Sequence, residues 1–96
     1  MKAYVIFFVE SVHDLAGLEE YRRIARPTLQ EYGAEFRVVR GRFDVLEGDP
    51  VTAVVMLEFA SMERARAWYH SPEYQTALKH RLAASRSHTV LCEALT

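Results

Sequence analysis

The chain has 96 residues, half of them hydrophobic, and a formal charge of −1 from twelve Lys and Arg against thirteen Asp and Glu. That length makes a single domain over residues 1–96, and without a basic excess nucleic acid is a poor partner. The one cysteine, Cys92, cannot form an intrachain disulfide, which fits a reducing cytoplasm, and no apolar run reaches the ~18 residues of a membrane span.

Met1-Lys2 ahead of AYVIFFV imitates a short signal peptide, but the run breaks at Glu10 with no small-residue cleavage site. Ala3, Val5, Phe7 and Val9 alternate with Tyr4, Ile6 and Phe8, so this stretch reads as a strand covered on both faces. Ser11 to Gly17 is a polar connection in which Asp14 is a helix N-cap candidate. Leu18, Tyr21, Ala25, Thr28, Leu29 and Tyr32 then recur at helical spacing. Pro27 falls inside that pattern, lacks a backbone donor and predicts a kink or two abutting pieces. Gly33 suits the left-handed residue that ends the helix.

Two short strand-like runs follow, Glu35 to Arg40 and Arg42 to Glu47, each with one apolar and one charged face. Gly41 between them marks either a tight turn or a bulge in one bent strand. After the turn Glu47-Gly48-Asp49-Pro50, Val51 to Phe59 is again apolar on both sides. Ser61 caps the next helix, whose stripe is Met62, Ala65, Trp68 and Tyr69. Ser71-Pro72-Glu73 starts another, with Tyr74, Ala77, Leu78 and Leu82 as its stripe. His88 to Leu95 alternates as a last strand.

The order strand, helix, strand, strand, helix, strand is that of an α+β, ferredoxin-like βαββαβ sandwich, a four-stranded antiparallel sheet with helices on one face. In that topology the first and third strands are central, and these are the two runs apolar on both faces. The helices cover only one side. An apolar sheet face would be left bare, and a second copy packing face to face is the simplest cover, giving a homodimer.

The stretches YVIFFVE (Tyr4 to Glu10), RPTLQEYGAEFRVVRG (Arg26 to Gly41), VLEG (Val45 to Gly48) and LEFASMERARAWYHSPEYQ (Leu57 to Gln75) span most of the chain. In this order they resemble the small bacterial proteins of the domain of unknown function 1330 family, within the dimeric α+β barrel superfamily. The last stretch is the most specific, with its W-Y followed by S-P-E-Y. One departure is Gly41-Arg42, where the family usually has two glycines. The resemblance implies a ferredoxin-like fold and a dimer whose two sheets form a barrel. It implies little about chemistry, because superfamily cousins include cofactor-free monooxygenases, haem-degrading enzymes, and muconolactone isomerase-like and chlorite dismutase-like proteins.

None of His13, His70, His80 and His88 forms a metal-ligand pair, so no metal is expected. Loops after the first strand border the cavity in the related folds, which makes His13 the acid–base candidate; a surface histidine is the plain alternative. Cys92, inside the last strand, reads as a small buried hydrophobe and not as a nucleophile. The run Glu63-Arg64 with Arg66 reads as a solvated face. Tyr21, Tyr32, Trp68, Tyr69 and Tyr74 come from the helices and either fill the core or line a pocket between sheet and helices. Arg26 and Arg40 are candidates to pair with a carboxylate or enolate there, against plain surface placement. The sequence therefore reads as a cytoplasmic homodimer that binds a small aromatic or enolisable molecule, as a cofactor-free oxygenase or isomerase. Haem use is a lesser variant of that reading. The alternative is a non-catalytic structural or regulatory dimer.

Overall fold

Side-chain alternation along the strands decides the layers. The computed structural model describes residues 1–96. It runs β1 (Ala3–Val12), α1 (Leu15–Glu31), β2 (Glu35–Val39), β3 (Ala53–Phe59), α2 (Met62–His70), α3 (Pro72–Ala84) and β4 (Ser85–Glu93). The strands form one antiparallel sheet in the order β2-β3-β1-β4, so the two strands apolar on both faces are the central pair. Register pairs share a face. Val5 opposite Leu57 and Ala3 opposite Phe59 are buried beneath the helices with Ala65, Trp68, Tyr74, Ala77 and Leu78. Ile6 opposite Met56 and Val90, and Phe8 opposite Val54 and His88, form the other face, which no helix covers. No helix is long and apolar enough to cross a membrane.

The helix ends follow the predicted chemistry. Asp14 caps α1 by accepting a bond from the Gly17 amide at 3.1 Å. Gly33, at φ 69°, takes the left-handed conformation after the helix, and the Ala34 amide bonds back to the Leu29 carbonyl at 2.9 Å. Ser71 serves two helices at once: its hydroxyl donates to the Trp68 carbonyl at the end of α2 and accepts from the Tyr74 amide at the start of α3. Asp14→Ala is expected to cost ~1 kcal/mol through loss of the α1 cap. Urea unfolding measures it, and a change below a few tenths would assign no weight to that bond.

Several expectations need correction. Arg42 to Glu47 forms no strand: β3 begins only at Ala53, and the alternation of Phe43 and Val45 meets no partner strand. Nor does Gly41 carry the turn, because the positive φ belongs to Arg40, at 53°, and the irregularity in β2 lies between Phe36 and Val38. Pro27 does not split α1, which is continuous through it. Leu82 is 64% exposed, and the inward position on α3 is taken by Arg81. Cys92 is exposed, because its register partner is Tyr4 and both lie on the uncovered sheet face. Arg64 is more than a solvated charge. It donates to the Tyr32 and Glu31 carbonyls, the free acceptors at the end of α1, and stacks over the Tyr32 ring at 4.6 Å.

Candidate functional site

One face of α1 looks onto an open space. Leu15, Leu18, Tyr21, Arg22, Ala25, Arg26 and Leu29 recur at helical spacing, and together they form one wall of a cavity of about 460 Å³. The opposite wall comes from the sheet: Phe7 and Val9 on β1, Phe36 and Val39 on β2, and Ala53, Val55 and Leu57 on β3. Arg81, Ser85 and Ser87 close one end. The space exists for two reasons. The backbone of α1 packs against α3 while α2 is the helix that approaches the strands, and Ala25, Ala53, Ser85 and Ser87 are too small to fill what remains. The size falls within the range of small-molecule sites, and the mainly apolar lining is typical of them.

The polar groups of this wall are unevenly signed. Four arginines line it, Arg22, Arg26, Arg40 and Arg81, and no Asp or Glu does. Arg26 and Arg40 are exposed and Arg22 is half-buried, whereas Arg81 is only 6% exposed. Arg81 donates from Nη1 to the Ser87 hydroxyl at 2.6 Å and lies over the Phe7 and Tyr21 rings at 5.1 and 5.5 Å. Burial works against its charge, but the Tyr74 and Tyr21 oxygens more than offset that and hold the guanidinium above its ordinary value, so it stays cationic. The Tyr21 and Tyr74 hydroxyls are 2.8 Å apart. Burial pushes both phenols up, so both are neutral hydrogen-bonding groups at physiological pH.

Of the residues singled out from the sequence, Tyr21, Arg26 and Arg40 meet at this cavity. Tyr74 is fully buried behind it and reaches it only through the hydroxyl of Tyr21. Trp68 is fully buried in the core, where its Nε1 donates to the Thr28 hydroxyl at 2.9 Å. Tyr32 sits under Arg64 at the end of α1, outside the cavity. His13 also lies outside it: its Nε2 donates to the Ala83 carbonyl at 2.8 Å and its amide bonds to Ala84, tying the β1–α1 loop to the end of α3. The aromatic group therefore divides. Trp68 and Tyr74 fill the core, and Tyr21 faces the cavity. Sequence reasoning missed Arg81. The available signal was its spacing, three residues beyond Leu78 and seven beyond Tyr74, which puts a cation on the buried stripe of α3.

The model of a family described as a domain of unknown function (DUF1330) matches residues 2–95. Among solved structures, the chain is similar to a protein of unknown function from Rhodopseudomonas palustris, with 20% identity and a TM-score of 0.78 over 99% of this chain and 83% of that one. It is also similar to a dimeric ferredoxin-like protein of unknown function from Jannaschia sp. CCS1, with 17% identity and a TM-score of 0.69 over 98% of this chain and 100% of that one. A more distant likeness is to SnoaB, a cofactor-independent oxygenase from Streptomyces nogalater, with 14% identity and a TM-score of 0.57 over 99% of this chain and 92% of that one. At these identities the likeness is one of fold. No curated protein matches the chain.

Proposed function

The chain belongs to the DUF1330 family, a domain of unknown function, and from that premise we propose that it is a homodimer that holds a small aromatic or enolisable molecule between α1 and the sheet. The observation that carries this reading is the apolar space of about 460 Å³, present although Trp68 and Tyr74 already fill the core beside it. Two faces would then divide the work. The uncovered sheet face, with Ile6, Phe8, Val54, Met56 and Val90, meets a second copy, and the helix-covered face keeps the cavity. The relative from Jannaschia is described as dimeric, which supports that division.

Binding is better supported than catalysis by the wall itself. Its titratable side chains are arginines and Tyr21, and a phenol with a raised pKa is a hydrogen-bond donor, not a base. A catalytic version would be a cofactor-free oxygenation in which a substrate carbanion activates oxygen and the arginines hold the oxyanion. The fold shared with a cofactor-independent oxygenase favours that version over other chemistries. A structural or regulatory dimer remains the alternative from a different class.

The test is a melting-temperature screen of bicyclic aromatics against the wild type and Ala53→Leu, which fills the cavity from the sheet side. A binder at a hundredfold excess over its Kd stabilises the wild type by ~2.7 kcal/mol. Ala53→Leu should remain folded and lose that stabilisation. No stabilisation by any probe, or equal stabilisation of the filled variant, would remove the cavity as the binding site.

A further inference from the structure

Arg81 has features that core packing does not explain. It is 94% buried by its 6% exposure, forms no salt bridge, and leaves its Nε without a hydrogen-bond partner. A buried cation is strongly unfavourable unless a counter-charge and hydrogen bonds compensate it, and an apolar side chain at such a position is usually the more stable choice. Here the compensation is one hydrogen bond to Ser87, two aromatic faces and the nearby Tyr21 and Tyr74 oxygens, and no carboxylate supplies a counter-charge. Those same contacts fix the guanidinium plane at the cavity wall. Nε is also sealed from the cavity, whereas Nη2 has neither a hydrogen-bond partner nor that degree of burial, so the guanidinium is held in position and still has a reachable donor to give.

Tyr21 supplies a second donor. Tyr74 is fully buried, and its hydroxyl has one hydrogen-bond partner, the Tyr21 hydroxyl at 2.8 Å. If Tyr21 donated in this pair, the Tyr74 proton would be left unpaired in the interior, which is the costlier arrangement. Tyr74 donates instead, and the Tyr21 O–H is left pointing its proton elsewhere. Tyr21 lines the cavity and its ring lies under the Arg81 guanidinium, so the two free donors belong to neighbouring groups. The other charged groups on the wall are the arginines Arg22, Arg26 and Arg40, all of the same sign.

We propose that Arg81 and Tyr21 are the anchor of an anion site, and that the molecule held in the cavity is a monoanion: an apolar body carrying a carboxylate, or the enolate of an enolisable compound. This rests on the cavity being the binding site and adds the sign and position of the ligand's charge. The oxyanion accepts from Arg81 Nη2 and from the Tyr21 hydroxyl, its planar apolar part lies between α1 and the sheet, and the exposed Arg26 and Arg40 favour entry of anions through long-range attraction.

The probes are 2-naphthoate and its neutral counterpart 2-naphthamide, titrated calorimetrically into the full-length protein. The wild type should bind the acid roughly 10–100-fold more tightly than the amide, the range of a charge-assisted hydrogen bond. Arg81→Met should still bind the amide and lose the preference for the acid, and Tyr21→Phe should reduce that preference partially. Equal affinity of the wild type for acid and amide would overturn the proposal, and this comparison needs no variant to fold. Retention of the preference in folded Arg81→Met would overturn it too. If neither probe binds, or if Ala53→Leu binds both unchanged, the cavity reading itself fails, and the anion site with it.

Discussion

Trp68→Ala is expected to cost ~3–5 kcal/mol of folding stability, a large fraction of the 5–15 kcal/mol that separates a folded domain from its unfolded chain. The side chain is fully buried, with Phe59, Tyr69 and Tyr74 ring centroids 5.2, 6.2 and 4.0 Å away. Truncation would open a void at the meeting point of β3, α2 and α3. It would also remove the donor to Thr28, a buried hydroxyl that already donates its own proton to the Ala25 carbonyl at 2.6 Å. Thr28 and Ala25 sit on α1, so the damage crosses from one helix layer to the other. Trp68→Phe keeps much of the volume and loses the hydrogen bond, and should fall between the two. Urea midpoints read both variants. A loss below ~1.5 kcal/mol for Trp68→Ala would mean that the site collapses around the missing ring and that Trp68 does not organise the core.

Phe8→Asp is expected to turn the proposed dimer into a monomer at micromolar concentration. Phe8 lies on the uncovered sheet face between Val54 on β3 and His88 on β4, with the His88 ring 6.3 Å from its own. A carboxylate there would be buried in the proposed interface among Ile6, Val54 and Val90, with His88 as its one polar neighbour. A penalty of ~4 kcal/mol for such a charge corresponds to about a thousandfold rise in the dissociation constant. The fold itself should survive, because Phe8 points away from the helix-covered core formed around Val5 and Phe7. Leu82→Asp is the control: Leu82 is 64% exposed on α3 and its change should leave the assembly intact. Light scattering on the three proteins distinguishes the outcomes. A wild type that is already monomeric at micromolar concentration would contradict the proposed dimer.

The architecture was legible in the sequence because a sheet writes its layers into alternation. β1 and β3 were apolar at both odd and even positions, and they are the central strands. Asp14, Gly33, Ser61 and Ser71 were legible as caps because each acts on amides or carbonyls within four residues of itself. Arg42 to Glu47 failed because alternation is necessary for a strand but a partner is what makes one, and pairing is decided elsewhere in the chain. The cavity was legible only in part. Tyr21 marked it by standing on an aromatic stripe, and Arg26 and Arg40 by carrying charge near predicted breaks. Arg81 went unseen because a cation at helical spacing ordinarily sits on a solvated face. Its burial depends on Phe7 from β1 and Tyr21 from α1, both far away in sequence. The division between Trp68 in the core and Tyr21 at the cavity likewise depends on how α1, α2 and α3 pack together, which no local pattern encodes.

The most direct measurement is a crystal structure of the protein with 2-naphthoate at saturating concentration. The account predicts one molecule per chain between α1 and the sheet, its rings among Val9, Ala25 and Val55, and its carboxylate within hydrogen-bond distance of Arg81 Nη2 and the Tyr21 hydroxyl. Naphthoate bound only at a surface away from α1, or seated in the cavity with its carboxylate turned from Arg81, would contradict it.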